Sequence, residues 1–131
     1  MPRKKMKLLI VDDEKDICSF VKMLFRQKGF LVRSAISGSQ AISVAKKLRP
    51  DIVLLDIHLK RGLTGLDVLS KMKETLPLCR YIMVTWDKAQ EKMRQAKKLG
   101  AAAYLTKPLT TSQLFKVVNR VARGIGRKRG R

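Results

Sequence analysis

The sequence predicts an α/β fold with a doubly wound, five-stranded parallel sheet, a (βα)5 arrangement with helices on both faces. Three observations predict it. Short apolar runs alternate five times with stretches whose apolar residues recur at helical spacing. The runs are continuously apolar, as strands covered on both faces are, instead of alternating like strands with one wet face. Acids, a threonine and a lysine follow four of the five runs, at the carboxyl edge where doubly wound sheets carry their sites.

Met6 to Val11 (MKLLIV) is the first strand, an apolar run ending in acids. Ile17, Phe20, Val21, Leu24 and Phe25 then share one face of a helix over 14–28, and Gly29 stops it. Phe30 to Ala35 is the second strand. Ser37 or Ser39 caps the next helix, whose apolar face is Ala41, Ile42, Val44, Ala45 and Leu48, with Pro50 beyond it. Asp51 to Asp56 (DIVLLD) is the third strand. Leu66, Val68, Leu69 and Met72 mark a helix over 63–75 that Pro77 closes off. Arg80 to Thr85 is the fourth strand and 88–99 the fourth helix, ended by Gly100. Ala101 to Thr106 is the fifth strand. Leu114, Val117, Val118 and Val121 predict a last helix over 111–123.

A chain of 131 residues fits one core, since two would each bury too little surface. One domain over 1–124 is expected, with 125–131 as a mobile basic tail. No apolar run is long enough to cross a bilayer or to serve as a signal peptide, so the expected location is cytoplasmic. Cys18 and Cys79 lack metal or redox spacing and read as packing residues. Thirty Lys and Arg against ten Asp and Glu give +20, a field that attracts nucleic acid, acidic membranes or acidic proteins without choosing among them.

Asp12 and Asp13 follow the first strand, Asp56 ends the third, Thr85 ends the fourth and Lys107 follows the fifth. In a parallel sheet all five converge on one edge. Crowded carboxylates raise one another's pKa or recruit a cation, and hard oxygen ligands suit Mg²⁺. Lys107 adds a compact positive charge for a phosphate oxygen or for Asp56, and the Thr85 hydroxyl adds a donor. A metal, a lysine and a hydroxyl around one carboxylate are what phosphoryl transfer needs, with Asp56 as the nucleophile. Other chemistries lack parts. There is no GxxxxGK(S/T) loop and no GxGxxG, and the single histidine, His58, cannot build a histidine metal site.

Through LLIVDDEKDI, DIVLLDIHL, the threonine of MVTW, and AYLTKP, nearly the whole chain resembles the receiver domain of two-component response regulators, in its stand-alone, chemotaxis-type form. The resemblance implies a flavodoxin-like fold and an acyl phosphate on Asp56. It also implies Mg²⁺ held by Asp13, Asp56 and the backbone carbonyl of His58, with Asp12 acting through water. On phosphorylation Thr85 would turn toward the phosphoryl group, Lys107 would pair with it, and Tyr104 would rotate inward. The Lys107–Pro108 peptide would be cis.

The match departs from the common pattern in places. The segment from Asp56 to Gly65 is one residue longer and lacks the usual proline, which predicts a looser loop. Trp86 stands where the family has a small residue and is expected to narrow phosphodonor access. His58 and Asp87 occupy the two positions that tune how water reaches the acyl phosphate. The implied partners are a histidine kinase or phosphotransfer protein, with output by phosphorylation-dependent binding and no enzyme activity beyond possible self-catalysed phosphorylation and dephosphorylation.

The alternative is a basic binding module that contacts nucleic acid or another polyanion, with phosphorylation weak or vestigial. A small-molecule enzyme such as a phosphatase is disfavoured by the missing acid and base residues. The fourth and fifth helices carry Lys92, Arg94, Lys97, Lys98, Lys116, Arg120 and Arg123 against little but Glu91, so a monomer is expected, or a dimer through another surface.

Overall fold

A computed structural model describes residues 5–129, with side chains described through Ile125. Its elements are β1 (Lys7–Val11), α1 (Lys15–Gln27), β2 (Leu31–Ala35), α2 (Gly38–Leu48), β3 (Ile52–Leu55), α3 (Gly65–Thr75), β4 (Arg80–Thr85), α4 (Gln90–Lys98), β5 (Ala103–Thr106) and α5 (Thr111–Arg129). The strands form one parallel sheet in the order β2-β1-β3-β4-β5. The fold is the flavodoxin-like (βα)5 arrangement expected from the sequence.

Alternate strand residues build two cores. Leu9, Val11, Val53, Leu55, Tyr81 and Met83 meet α2, α3 and α4 through Ala41, Ala45, Val68, Leu69, Met72 and Ala96. Leu8, Ile10, Val32, Ile52, Leu54 and Ile82 meet α1 and α5 through Cys18, Val21, Phe25, Leu114, Val118 and Ile125. β3 is buried at every position because its neighbours β1 and β4 flank it within the sheet while helices cover both faces. Both cysteines are buried, and burial pushes the Cys79 thiol up to about 12, which suits packing and not redox chemistry.

Caps set the ends of the helices near the carboxyl edge. Ser37, not Ser39, caps α2 by accepting from the Gln40 amide. Thr64 and Asp67 form a reciprocal capping box that starts α3 two residues later than the apolar pattern predicts. Gly65 sits so close to β3 that a Cβ there would collide with the Asp56 carbonyl oxygen. Its amide donates to the Ile57 carbonyl at 2.7 Å. Leu59 and Leu63 pack against the first core, which ties down the long loop expected to be loose.

One boundary needs correction. Residues 125–131 were expected to form a tail, but α5 continues to Arg129 and Ile125 is buried in the second core. Leu114, Val118, Val121 and Ile125 follow one another at four-, three- and four-residue steps, so the apolar stripe runs one turn beyond Val121 and past Arg123. Two flanking glycines, Gly124 and Gly126, disguise that turn in the sequence. The last two residues of the expected tail, 130 and 131, lie outside the described residues.

Candidate phosphoacceptor site

The sheet order reverses between β1 and β3, and the crevice at that switch point opens at their carboxyl ends. Val11 pairs with Leu55, so Asp12 and Asp56 emerge side by side. Thr85 pairs with Thr106, which brings Lys107 to the same edge from the far side of β4. The Lys107 amide then donates to the Thr85 carbonyl at 2.8 Å. The Lys107–Pro108 peptide is cis, as the resemblance implied.

The Lys107 side chain reaches back across β4 and β3. Its Nζ donates to Asp12 Oδ2 at 2.8 Å and to Asp56 Oδ2 at 3.1 Å, and all three residues are buried. One cation between two carboxylates leaves a net negative cluster shielded from water. Burial raises the Asp12 pKa, with the Lys107 and Glu14 hydrogen bonds working against it. Burial disfavours the Lys107 charge, but its two carboxylate partners outweigh that and raise its pKa, so it stays an ammonium. The second oxygens are engaged too. Asp12 Oδ1 accepts from the Glu14 amide at 2.9 Å and Asp56 Oδ1 from the His58 amide at 3.1 Å.

Thr85 is fully buried, and its hydroxyl oxygen accepts from the Asp87 amide at 3.3 Å. Tyr104 donates from its hydroxyl to the Asp87 carbonyl at 2.6 Å, and burial pushes its pKa up to about 12. A further contact joins His58 and Asp87. His58 Nε2 lies 2.7 Å from Asp87 Oδ2, so the loops after β3 and β4 are tied together beside Asp56. Spacing could not reveal it, because the partners are 29 residues apart.

Trp86 is 58% exposed. It lines a largely apolar groove of about 240 Å³ together with Phe20, Leu109, Asp12 and Lys107. The sequence assigned Phe20 to the buried face of α1, but it is 46% exposed in this groove.

Asp13 is half-buried, and its carboxylate makes no hydrogen bond or ion pair among the described residues. With Asp12, Asp56 and the nearby carbonyls it offers hard oxygen donors only. Among the described residues no three acidic, histidine or cysteine side chains are grouped closely enough to hold a metal ion by themselves, so a cation here would rely on backbone carbonyls and water as well. Mg²⁺ binds in that manner, through one or two carboxylates with several waters retained, and the donor set fits it.

A family model for the response regulator receiver domain matches residues 8–119. The protein belongs to the response-regulator receiver family. Receivers are signalling domains, not conventional enzymes, and they generally use Mg²⁺ at the phosphorylation site. This receiver is 32% identical over 114 residues to sporulation initiation phosphotransferase F of Bacillus subtilis, covering 87% of this chain and 91% of that protein. It is 35% identical over 107 residues to the probable transcriptional regulatory protein TcrX of Mycobacterium tuberculosis, covering 82% of this chain but 45% of that one. It thus spans less than half of TcrX. Among solved structures it superposes on the chemotaxis protein CheY4 of Vibrio cholerae with a TM-score of 0.85 and 28% identity, covering 90% of this chain and 99% of that one.

No helix among the described residues is long and apolar enough to cross a membrane.

Proposed function

We propose that this receiver is a phosphorylation switch, with Asp56 accepting a phosphoryl group from a histidine kinase or phosphotransfer protein. The observation that carries the reading is the buried Lys107 ammonium held between Asp12 and Asp56, with Thr85 on the neighbouring strand end. An Asp56 carboxylate oxygen attacks phosphorus, the bond to the donor's imidazole nitrogen breaks, and the leaving imidazole keeps the electron pair. Lys107, already charged, stays within reach of the transferred oxygens and stabilises the charge that gathers on them. The Asp56 carboxylate is oriented by the hydrogen bond it accepts from the His58 amide, and its backbone carbonyl by the tight approach of Gly65.

Asp13, Asp56 and the His58 carbonyl would hold Mg²⁺, with Asp12 acting through water. When bound, the ion supplies positive charge to the phosphoryl oxygens. Thr85 and Tyr104 are the switch pair of this reading, joined in the structure through Asp87. Output follows by partner binding, in the cytoplasm. The vestigial-phosphorylation alternative gains no support from the comparisons.

Intact mass after incubation with Mg²⁺ and acetyl phosphate tests the reading, with Asp56→Asn beside wild type. A phosphoryl adduct on wild type alone supports it. An adduct on both proteins, or on neither even after incubation with a phosphorylated phosphotransfer protein, rejects it.

A further inference from the structure

The charge of this chain is unevenly placed. Seven of the ten acids, at positions 12, 13, 14, 16, 56, 87 and 91, fall in the segments that follow β1, β3 and β4, and Glu91 is the last acid in the sequence. The forty residues after it hold twelve Lys and Arg. α5 lies within that stretch, has no acid along its 19 residues, and extends about 28 Å at 1.5 Å per residue.

The cations of α5 form a stripe. Leu114, Val118 and Ile125 are buried, which fixes the face turned to the sheet. Lys116, Arg120 and Arg123 are exposed. At about 100° per residue they fall within an arc of about 60° on the opposite side. Asn119, also exposed, stands beside them and adds a neutral donor. None of the three cations takes part in an ion pair among the described residues. At the edge toward α1, Lys28 sits 4.7 Å over the Phe115 ring and carries the positive surface onto the neighbouring helix.

We infer that the exposed face of α5 is a docking surface for the phosphate backbone of a nucleic-acid duplex. Charge complementarity selects a polyanion, and the make-up of the face narrows the choice. The apolar residues of α5 are already packed in the second core, leaving none to insert among lipid tails. An acidic protein would normally add buried apolar or aromatic anchors, and this stripe offers cations and an amide instead. Single strands are held by exposed aromatic platforms, whereas the one aromatic of α5, Phe115, packs edge-on against Phe25 at 5.0 Å. Lys, Arg and Asn along one helix face suit phosphate oxygens, which position a protein without reading sequence. This surface is separate from the Asp56 site, so the inference stands whether or not Asp56 is phosphorylated.

Fluorescence anisotropy with a labelled 20-base-pair DNA duplex tests it across a salt series, with two triple variants of equal charge. Lys116→Gln/Arg120→Gln/Arg123→Gln removes the stripe. Lys46→Gln/Lys47→Gln/Lys71→Gln removes three exposed cations from α2 and α3, on the other side of the sheet. The stripe variant is expected to bind about tenfold or more weakly near 0.1 M salt, with a log–log salt slope shallower by about 3, because each phosphate contact contributes about 0.9. The control variant is expected to stay within about twofold of wild type. Equal losses in both variants would mean that binding follows net charge alone and would overturn the inference. So would binding to vesicles of anionic phospholipid that matches the duplex and shows the same dependence on the stripe. Circular dichroism on both variants confirms that they are folded.

Discussion

Lys107 carries more of the site than any other residue, because its charge makes two buried carboxylates tolerable in one crevice. Trp86 stands exposed and lines the same groove as Lys107, where on the proposed function a bulky ring would narrow the approach of small donors. Trp86→Ala is therefore expected to speed phosphorylation by acetyl phosphate several-fold, about 1 kcal/mol of barrier at most. An unchanged rate, followed by intact mass over time, would remove Trp86 from the access role. Tyr104 gives a pH prediction. Its folded pKa of about 12 lies above the ordinary value of 10.0, so the unfolded chain releases that proton first. The stabilisation from neutral Tyr104 is complete below pH 10.0 and is lost as pH rises through about 12. Ultraviolet titration of tyrosinate should show this late ionisation in wild type and lose it in Tyr104→Phe.

The elements differ in how they are held. β1 and β3 sit inside the sheet with helices on both sides, and their carboxyl ends inherit that rigidity, which keeps Asp12 and Asp56 in register. α5 is the last element of the chain, and its final turns are anchored by Ile125 in the second core. Ile125→Ala is expected to cost about 2–3 kcal/mol through loss of burial and the cavity left behind. Chemical denaturation should detect it, and truncation after Arg123 should cost at least as much. A truncated chain as stable as the full one would restore the view of 125–131 as a tail. At the other side of the site, the His58–Asp87 contact links two loops whose backbones carry Asp56 and Thr85.

On the scale of the whole molecule, +20 charge is a solution property as much as a surface one. α4 exposes Arg94, Lys97 and Lys98, and α5 exposes Lys116, Arg120 and Arg123. Two copies that met through these helices would face like charges with only Glu91 to relieve them. Sedimentation velocity over a concentration series is expected to show a monomer at physiological salt, and a tight dimer through α4 and α5 would contradict this. Acids gathered at the carboxyl edge and cations spread over the helices also give the molecule a charge asymmetry, which orients charged partners before contact.

Local sequence pattern is enough to place the ten elements and the edge on which the chemistry stands. Strand and helix follow from local periodicity, and a parallel sheet sends every strand end to the same side, so Asp12, Asp56, Thr85 and Lys107 could be assigned to one site from position alone. Which groups touch is a property of the folded chain alone. Lys107 meets Asp12 and Asp56 across 95 and 51 residues of chain, and His58 meets Asp87 across 29, distances over which no local pattern carries information. So is the point where α5 ends. Gly124 and Gly126 weaken the helical signal locally, and only the apolar surface waiting at Ile125 in the folded core outweighs their cost.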